Sequence, residues 1–473
     1  MTPARYPLHP AHDERRDSTS HPLPLSRRRF LERSAMAVAG GVLFACTGGK
    51  TIPKVSDSTS VVDTRWPIKR VVYLMLENRS FDNLFGRFPG VEGTRIGVMD
   101  GKEVPLKRCP DWLPGDLPHD RAGALNCLNG GKLDGFNTGA YGDPWAYTQF
   151  DGTEVPNYWH WAREYALSDH FFASVLGPSY PNHFFFIAGT SGGSIDNPEN
   201  IGTSAMDNGM TFKSWGCDAV GDDVFVFTLD DEAHLAKHSS CFDFPTVGEQ
   251  LTSKGVDWAF YGAAPGVPGY FWNAYNGVSQ VFHTELWNEH SRDVANVIND
   301  AEKGTLPSVT WVTPRFELSD HPPGSSAFTH NWVSGLVEAI MKSDQWEHTA
   351  IFVTWDEWGG FYDHVEPKAV DPVGLGFRVP MLTISPYARR GVIDDLTGEF
   401  SSPLKFISDN WGLSYLTKRI ASTHNFEHVF DFSAKPRPPS VTGVRVKTYG
   451  QFDQFPENYP GWPPGTVPDP SSF

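Results

Sequence analysis

Two apolar, β-branched runs in the chain each end in a cluster of polar side chains. The first run covers residues 68–76 and is followed by Glu77 and Asn78; the second covers residues 350–355 and is followed by Asp356 and Glu357. Continuous apolar runs of this kind are typical of strands that are buried on both faces of a parallel sheet. They predict an α/β fold with its site at the carboxyl ends of these strands, where open α/β sheets bind ligands.

The four polar residues at the strand ends supply only oxygen ligands. Such a set suits one divalent cation, and Ca²⁺, Mg²⁺, Mn²⁺ and Zn²⁺ all remain open, although hard oxygens favour the first three. The alternative is that the acidic pairs cap the helices that follow them. Because the same arrangement occurs at two strand ends, the sequence favours a metal site.

A third segment carries a candidate nucleophile. Residues 168–176 are predicted to form a strand or the entry to one, and they lead into Gly-Pro-Ser-Tyr-Pro-Asn-His at 177–183. Pro181 fits the first turn of a helix, which places Ser179 at or near the N-cap. Backbone N–H groups at that end favour an anion such as phosphate. The alternative is that Ser179 is only a helix cap, a role that contributes about 1 kcal/mol.

Three histidines lie in suggestive contexts. His119 precedes the Gly-rich segment 130–136, His321 lies in Asp-His-Pro-Pro after a strand-like run at 308–312, and His364 lies in Phe-Tyr-Asp-His-Val. The chain has 17 histidines, so local context alone does not select the catalytic ones.

The N-terminus has the pattern of an export signal. Ser-Arg-Arg-Arg-Phe-Leu at 26–31 precedes an apolar stretch of 11 residues, 35–45. A spanning helix needs about 20 residues and a signal peptide roughly 7 to 15. Residues 1–46 are therefore predicted to be a twin-arginine signal peptide. Leu-Phe-Ala-Cys at 43–46 resembles a lipoprotein box, and both lipidation of Cys46 and ordinary cleavage remain open.

This signal sets the expected organisation and location. Residues 47–65 are predicted to be a linker, 66–435 a catalytic domain and 436–473 a C-terminal extension. The protein is expected to be periplasmic, secreted or a cell-surface lipoprotein. The four cysteines after the signal suggest two disulfides in an exported protein. Cys109–Cys127 and Cys217–Cys241 are expected, because each pair closes a short loop.

Charge excludes one class of partner. The chain has 39 Lys and Arg against 56 Asp and Glu, a formal net charge of −17. Such a surface repels phosphate backbones and argues against general nucleic-acid binding. It also provides no electrostatic attraction to anionic lipid headgroups, so any membrane contact is expected to be peripheral or through a lipid anchor.

Several segments together resemble a known family, the bacterial phospholipase C and acid phosphatase (phosphoesterase) family, to which plant non-specific phospholipases C are related. They are VVYLMLENRSFDNLFG, GKLDGF, GPSYPNHFFFIAGT, SDHPP, FVTWDEWGGFYDHVEP, GFRVPMLTISPYA and LKFI. The similarity runs from about residue 68 to about residue 432. It implies an alkaline-phosphatase-like α/β/α sandwich with a mostly parallel central sheet and capping insertions.

The resemblance also implies roles for individual residues. Glu77, Asn78, Asp356 and Glu357 correspond to the metal ligands of the family, and Ser179 corresponds to the nucleophile that joins them on the metal. His321 and His119 correspond to the histidines of the phosphate pocket. The chain departs from the family at 399–402, which lacks a histidine that many relatives carry, and at Trp358.

The function implied is that of an exported, metal-dependent phosphoesterase. A phospholipase C that cleaves the glycerol-side phosphodiester of phospholipids through a phosphoserine is favoured. An acid phosphatase acting on monoesters is the first alternative, and a surface lipoprotein that binds a metal or phosphorylated ligand without turnover is the second. Aromatic side chains are expected either to receive the glycerol end or a choline cation, or to pack in the core. They are Phe171, Phe172, Trp358, Phe361 and Tyr362.

Overall fold

The structure is a computed structural model, and it describes residues 62–205, 211–220 and 224–447. The predicted signal peptide with Cys46, most of the predicted linker and the last 26 residues of the predicted extension lie outside the described residues.

The described part of the chain contains both strands and helices. The strands are β1 Arg70–Leu76, β2 Ile96–Met99, β3 Lys102–Pro105, β4 Lys107–Arg108, β5 Thr148–Gln149, β6 Ala166–Ser168, β7 Gly202–Ala205, β8 Thr211–Ser214, β9 Phe225–Leu229, β10 Leu235–Ser239, β11 Trp258–Gly262, β12 Ser291–Asp293, β13 Val309–Val312, β14 Thr349–Trp355, β15 Met381–Ile384 and β16 Val392–Asp394. The helices are α1 Phe81–Phe85, α2 Arg121–Leu128, α3 Gly142–Trp145, α4 Pro156–Glu164, α5 Ser179–Ala188, α6 Val247–Lys254, α7 Ser279–Phe282, α8 Glu285–His290, α9 Val297–Glu302, α10 Ser326–Lys342, α11 Ser401–Trp411 and α12 Lys418–Ser422.

Eight strands form one central sheet in the order β12-β11-β13-β1-β14-β15-β6-β16. Every neighbouring pair is parallel except the two that involve β15, which is antiparallel to both β14 and β6. The predicted α/β class with a mostly parallel sheet is confirmed. The two apolar runs of the sequence are β1 and β14, which lie side by side in the middle of the sheet.

Helices cover both faces of this sheet, which is why β1 and β14 are apolar without alternation. On one face, Tyr73 of β1 contacts Phe186 of α5 with ring centroids 4.3 Å apart, and Phe352 of β14 packs on Phe406 of α11. On the other face, Trp355 of β14 packs on Tyr158 of α4, with ring centroids 5.5 Å apart. The sheet is therefore the middle layer of three.

The segment 168–176 differs from its prediction. Strand β6 ends at Ser168, and the residues after it make only isolated bridges, from Phe171 to Gly398 and from Phe172 to Arg378. The segment crosses the carboxyl edge of the sheet as an irregular connection and brings the chain to α5. Small two-stranded ribbons, β7 with β8 and β9 with β10, lie between α5 and α6.

One of the two expected disulfides is present. Cys217 and Cys241 are bonded, with a sequence separation of 24 residues. The predicted Cys109–Cys127 bond is wrong, since both residues are free thiols buried in different surroundings. Cys109 lies near Thr148, whereas Cys127 on α2 lies near Trp358.

Residues 437–446 of the predicted extension pack on the helices of one face. The Gly443 N–H donates to Glu338 of α10 at 2.8 Å, and the Trp346 indole donates to the Arg437 carbonyl at 3.0 Å. Among the residues that the structure describes, no helix combines the length and the apolar character that a bilayer-spanning segment requires.

Candidate active site

The two acidic motifs meet at the carboxyl edge of the sheet. Leu76, the last residue of β1, is the register partner of Trp355, the last residue of β14. The Asp356 N–H donates to the Leu76 carbonyl at 2.8 Å, so the residues after both strands emerge side by side. Glu77, Asn78, Asp356 and Glu357 are all fully buried there. Parallel pairing thus joins residues that are almost 280 positions apart in the sequence.

Several oxygen atoms in this cluster lack a hydrogen-bond partner. They are Asn78 Oδ1, one carboxylate oxygen of Asp356 (Oδ2) and one of Glu357 (Oε1). The other oxygens are used locally, because Asp356 Oδ1 accepts from the Asn78 N–H at 2.9 Å and Glu357 Oε2 from the Gly359 N–H at 2.7 Å. Unpartnered buried oxygens are costly. A divalent cation among them would satisfy all three, so the residues present fit the predicted metal.

Burial controls the ionisation of these carboxyl groups. It raises the pKa of Asp356 to about 8, with the neighbouring Glu77 carboxylate adding to the shift. Burial also raises the pKa values of Glu77 and Glu357 well above their usual range, and at Glu357 the charge of Asp356 contributes. Three like charges held together in a dry site disfavour one another. The cluster is therefore built for a positive charge.

Ser179 is the first residue of α5, and its side chain faces this cluster. Its hydroxyl donates to Glu77 Oε2 at 3.2 Å, and the N-cap position belongs to Pro178. The serine makes no capping hydrogen bond, so the interpretation of Ser179 as only a helix cap is wrong. The structure instead joins the predicted nucleophile to the predicted metal ligands.

His183 belongs to the site and was missed among the predicted site residues. It lies one helical turn after Ser179 on α5, and its Nε2 is 2.9 Å from Glu77 Oε1 and 3.9 Å from Asp356 Oδ2. Burial lowers the pKa of His183 to about 4, so the ring is neutral at pH 7 and donates from Nε2 to the carboxylate. The four-residue spacing from Ser179 was the available signal, since such residues share one face of a helix. His183 therefore holds the Glu77 carboxyl group beside Ser179.

His119 and His321 lie together, as the predicted phosphate pocket requires. Their rings are 5.3 Å apart in an edge-to-face arrangement. In each ring Nδ1 contacts a backbone carbonyl, at 2.7 Å for His119 with Leu117 and 2.6 Å for His321 with Pro322. This orientation leaves Nε2 of each ring for a ligand.

The two histidines differ in their preferred charge. Burial lowers the pKa of His321, and the adjacent His119 lowers it further. Burial also opposes ionisation of His119, but Asp116, with Oδ1 3.6 Å from its Nδ1, and other nearby acidic and carbonyl groups raise the pKa of His119 above the usual value. A proton on this pair is therefore favoured on His119 over His321.

Arg79 fixes the loop that carries His321, a role that the sequence did not indicate. Its buried guanidinium donates to the Asp320 carbonyl at 3.0 Å and to the Ser326 hydroxyl at 2.9 Å. The guanidinium also lies over the Phe361 ring, 4.5 Å from the centroid. Because Arg79 directly follows Glu77 and Asn78 in the chain, it connects the predicted metal ligands to the loop that carries His321.

His364 does not join the site. Its Nδ1 is 2.5 Å from Asp82 Oδ2, beside an ion pair between Arg378 and Asp363 whose shortest contact is 2.9 Å. All of these groups serve a charge-balanced network that connects α1 to the loop after β14. Its effect on the site is to hold the two acidic motifs in place.

The aromatic residues considered for a lipid pocket are core residues. Their exposed fractions are 0% for Phe171, Trp358 and Phe361, 2% for Phe172 and 3% for Tyr362. Core packing, the alternative considered for them, is what the structure shows. Two other aromatic rings contact His321 of the predicted phosphate pocket: Trp272 stacks on it with centroids 5.7 Å apart, and the Phe316 centroid is 5.1 Å away.

Comparison with known proteins identifies the family of this chain. The model of the phosphoesterase family matches residues 68–414, and the chain belongs to that family. The chain is thereby a hydrolase that acts on phosphoric ester bonds.

The similar proteins are named phospholipases C. The chain is 27% identical to phospholipase C B of Mycobacterium tuberculosis, with 92% of each chain covered. It is 24% identical to hemolytic phospholipase C of Pseudomonas aeruginosa over 82% of this chain, and it spans 59% of that relative's length. One similar solved structure is that of a protein in the alkaline phosphatase superfamily from Vibrio parahaemolyticus. The similarity covers 79% of this chain and 75% of that chain, at 14% sequence identity and a TM-score of 0.34.

Proposed function

We propose that the protein is a phospholipase C that cleaves phospholipids on the glycerol side of the phosphodiester. One observation carries this proposal: the Ser179 hydroxyl donates a hydrogen bond to the buried Glu77 carboxyl group, beside the other acidic residues at the strand ends. The relatives named phospholipase C support the choice of substrate.

We propose that one divalent cation is held by Glu77, Asn78, Asp356, Glu357 and Ser179. Such an ion, when bound, lowers the pKa of the serine hydroxyl and offsets negative charge on the phosphoryl group. The unpartnered oxygens described above support this ligand set.

The residues of the chain then divide the reaction between them. Ser179 Oγ attacks phosphorus and forms a phosphoserine, while the bond from phosphorus to the glycerol oxygen breaks. Glu77, which already accepts the serine hydrogen bond, takes the hydroxyl proton. The protonated His119 gives its Nε2 proton to the departing diacylglycerol oxygen, a form of acid catalysis typically worth about 10²- to 10⁴-fold in rate.

The second half of the reaction restores the enzyme. His119, now neutral, takes a proton from water as the water oxygen attacks the phosphoserine. The bond from phosphorus to Ser179 Oγ breaks, the serine recovers its proton from Glu77, and the phosphorylated head group leaves. His321 shapes the pocket and stays neutral beside His119, because two adjacent imidazolium ions repel each other.

Asp116 favours diesters over the alternative monoester substrates. Its side chain is 42% exposed at the His119 end of the pocket. A carboxylate at that position repels a dianionic phosphomonoester more strongly than a singly charged phosphodiester. An acid phosphatase would meet less repulsion only at low pH, where the monoester carries one charge.

Export is proposed on the N-terminal motif alone. We propose that the twin-arginine pattern at 26–31 directs the protein out of the cytoplasm. Replacing the three arginines by lysine and following the protein by cell fractionation tests this, since retention of the variant inside the cell is the expected result. Unchanged export of the variant would contradict it.

The function is tested with the metal-loaded full chain and two chromogenic substrates. We expect p-nitrophenyl phosphorylcholine to be hydrolysed in preference to p-nitrophenyl phosphate, and Ser179→Ala to lose turnover of both. Ser408→Ala is the matched control, because this buried serine on α11 donates only within its own helix, to the Leu404 carbonyl at 2.8 Å. After acid quench of the reaction with p-nitrophenyl phosphorylcholine, a mass increase of one phosphorylcholine group on the Ser179 peptide is expected in the wild type and in Ser408→Ala, and not in Ser179→Ala.

Each other outcome points elsewhere. Preference for the monoester, strongest at acid pH, would make the protein an acid phosphatase. Full activity of Ser179→Ala would refute the covalent mechanism. Absence of hydrolysis of either substrate with metal bound would support a binding protein without turnover.

A further inference from the structure

A second group of metal-binding side chains lies at the edge of the central sheet. It consists of Asp394, His424 and His428, and we call it the edge cluster. Asp394 is the last residue of β16, the outermost strand on its side of the sheet. The predicted catalytic ligands follow β1 and β14, and two further strands, β15 and β6, separate β14 from β16. The edge cluster is therefore a separate place in the fold.

Other groups of this kind in the described residues are already committed. The group of Cys217, Cys241 and His283 contains the disulfide, whose sulfurs are bonded to each other. The group of Asp82, Asp363 and His364 is neutralised by Arg378. The two remaining groups belong to the active site. They are Glu77 with His183 and Asp356, and Asp116 with His119 and His321.

The ligand atoms of the edge cluster are close enough to converge on one ion. One atom from each of the three residues lies within 4.8 Å of the other two. The His428 Nε2 is already 2.7 Å from Asp394 Oδ1, and the rings of His424 and His428 are 5.3 Å apart and nearly perpendicular. Zinc bonds of about 2.0 to 2.1 Å place tetrahedral ligand atoms about 3.3 Å apart, so small side-chain movements complete the site.

His424 supplies the observation that points to a ligand. Its Nε2 is buried and has no hydrogen-bond partner. Space for this atom is provided by Gly398, where an added Cβ would lie 2.7 Å from it. Nδ1 of His424 accepts a long hydrogen bond of 3.3 Å from the Phe426 N–H. Metal binding at Nε2 would move the ring proton to Nδ1 and would replace this hydrogen bond.

Hydrogen bonds from neighbouring residues fix the Asp394 carboxylate. Its carboxylate is 3% exposed, and Oδ2 accepts from the Ser168 hydroxyl at 2.9 Å. Oδ1 faces the histidines and accepts from His428 and from the Leu396 N–H at 3.2 Å. Hydrogen bonds that fix the far oxygen of a carboxylate are usual around metal centres.

We propose that the edge cluster binds one Zn²⁺ through Asp394, His424 and His428. Two imidazoles and one carboxylate form a borderline donor set that suits zinc, in contrast to the oxygen-rich catalytic set. The His-x-x-x-His spacing in the sequence matches that of zinc-binding histidine pairs. The His428 side chain is 38% exposed, which leaves a path for the ion. The zinc connects the segment after α12 to β16, the outermost strand, so its role is structural.

The test compares zinc content in the full chain. We expect the His428→Gln variant to bind one Zn²⁺ per chain fewer than the wild type, to lose the zinc-dependent rise in Tm, and to retain hydrolytic activity. His234→Gln is the matched control, because His234 is a 70% exposed histidine that also pairs with a carboxylate, Asp230, at 3.0 Å. Equal zinc content in the wild type and in His428→Gln would overturn the proposal.

A direct measurement covers the case in which the variant fails to fold. Wild-type crystals soaked in zinc chloride are expected to show an anomalous peak, recorded at the zinc edge, between the three edge-cluster side chains. Absence of that peak, with zinc present at the catalytic ligands, would overturn the proposal. Neither measurement depends on the substrate, so failure here is distinct from failure of the proposed function.

Discussion

Replacing Asp356 by Asn is expected to have opposite effects in the metal-free and the metal-loaded protein. Burial raises the pKa of Asp356 from 3.8 to about 8. Between these pH values the folded protein keeps a proton that the unfolded chain has lost. The stability of the metal-free protein must therefore fall as the pH rises from about 4 to about 8.

The size of the effect follows from the shift. About pH 7 lies about three pH units above the ordinary pKa of an aspartate, and each unit corresponds to about 1.4 kcal/mol. Keeping Asp356 protonated in the folded protein therefore lowers the free energy of unfolding by about 4 kcal/mol. Asparagine cannot ionise and can still accept from the Asn78 N–H through its side-chain oxygen. We therefore expect metal-free Asp356→Asn to be more stable than metal-free wild type by up to about 4 kcal/mol at about pH 7, and equally stable at about pH 4.

With metal present the order reverses. The wild type gains stability from the ion, because a ligand that binds only the folded state stabilises it by mass action. The variant lacks one charged ligand and is expected to gain much less stability and to lose turnover. Urea unfolding followed by tryptophan fluorescence measures both states, with EDTA or with MnCl₂, at several pH values.

A matched substitution shows whether the effect belongs to the buried site. Asp231→Asn changes an exposed carboxylate between β9 and β10 and is expected to leave both states unchanged. The reasoning is refuted if metal-free wild type keeps its stability from about pH 4 to about pH 8. It is also refuted if Asp356→Asn is less stable than the wild type without metal at about pH 7.

Three further predictions test other parts of the molecule. His119→Gln should lower kcat/KM by about 10²- to 10⁴-fold and remove the loss of activity that the wild type shows as pH rises through the elevated His119 pKa, measured as a pH–rate profile. Replacing Cys217 and Cys241 together by Ser should lower the free energy of unfolding by about 3 kcal/mol, because the bond closes a loop with a separation of 24 residues. Arg79→Leu should destabilise the protein by about 3 kcal/mol in urea unfolding and lower kcat/KM, because it leaves the Asp320 carbonyl without its donor at 3.0 Å.

The class of fold was predictable from the sequence, which also named residues that the fold brings to one edge of the sheet. The runs that became β1 and β14 are mainly apolar and do not alternate with polar residues, because helices cover both faces of the sheet. The polar residues after each run had to emerge at the same edge if the strands were parallel. Ser179 could be placed at a helix start from Pro181 alone, and the five residues predicted to hold the metal lie together in the fold.

Tertiary structure decided what depends on contacts between distant segments. The fate of Cys109 and Cys127 was such a case, since loop length says nothing of the surroundings in which two thiols are buried. The surroundings of Phe361 were a second case, because its ring packs under the guanidinium of Arg79, which follows a different strand. The opposite pKa shifts of His119 and His321 also depend on the fold, because burial lowers the pKa of His321 and only folding brings the two rings together.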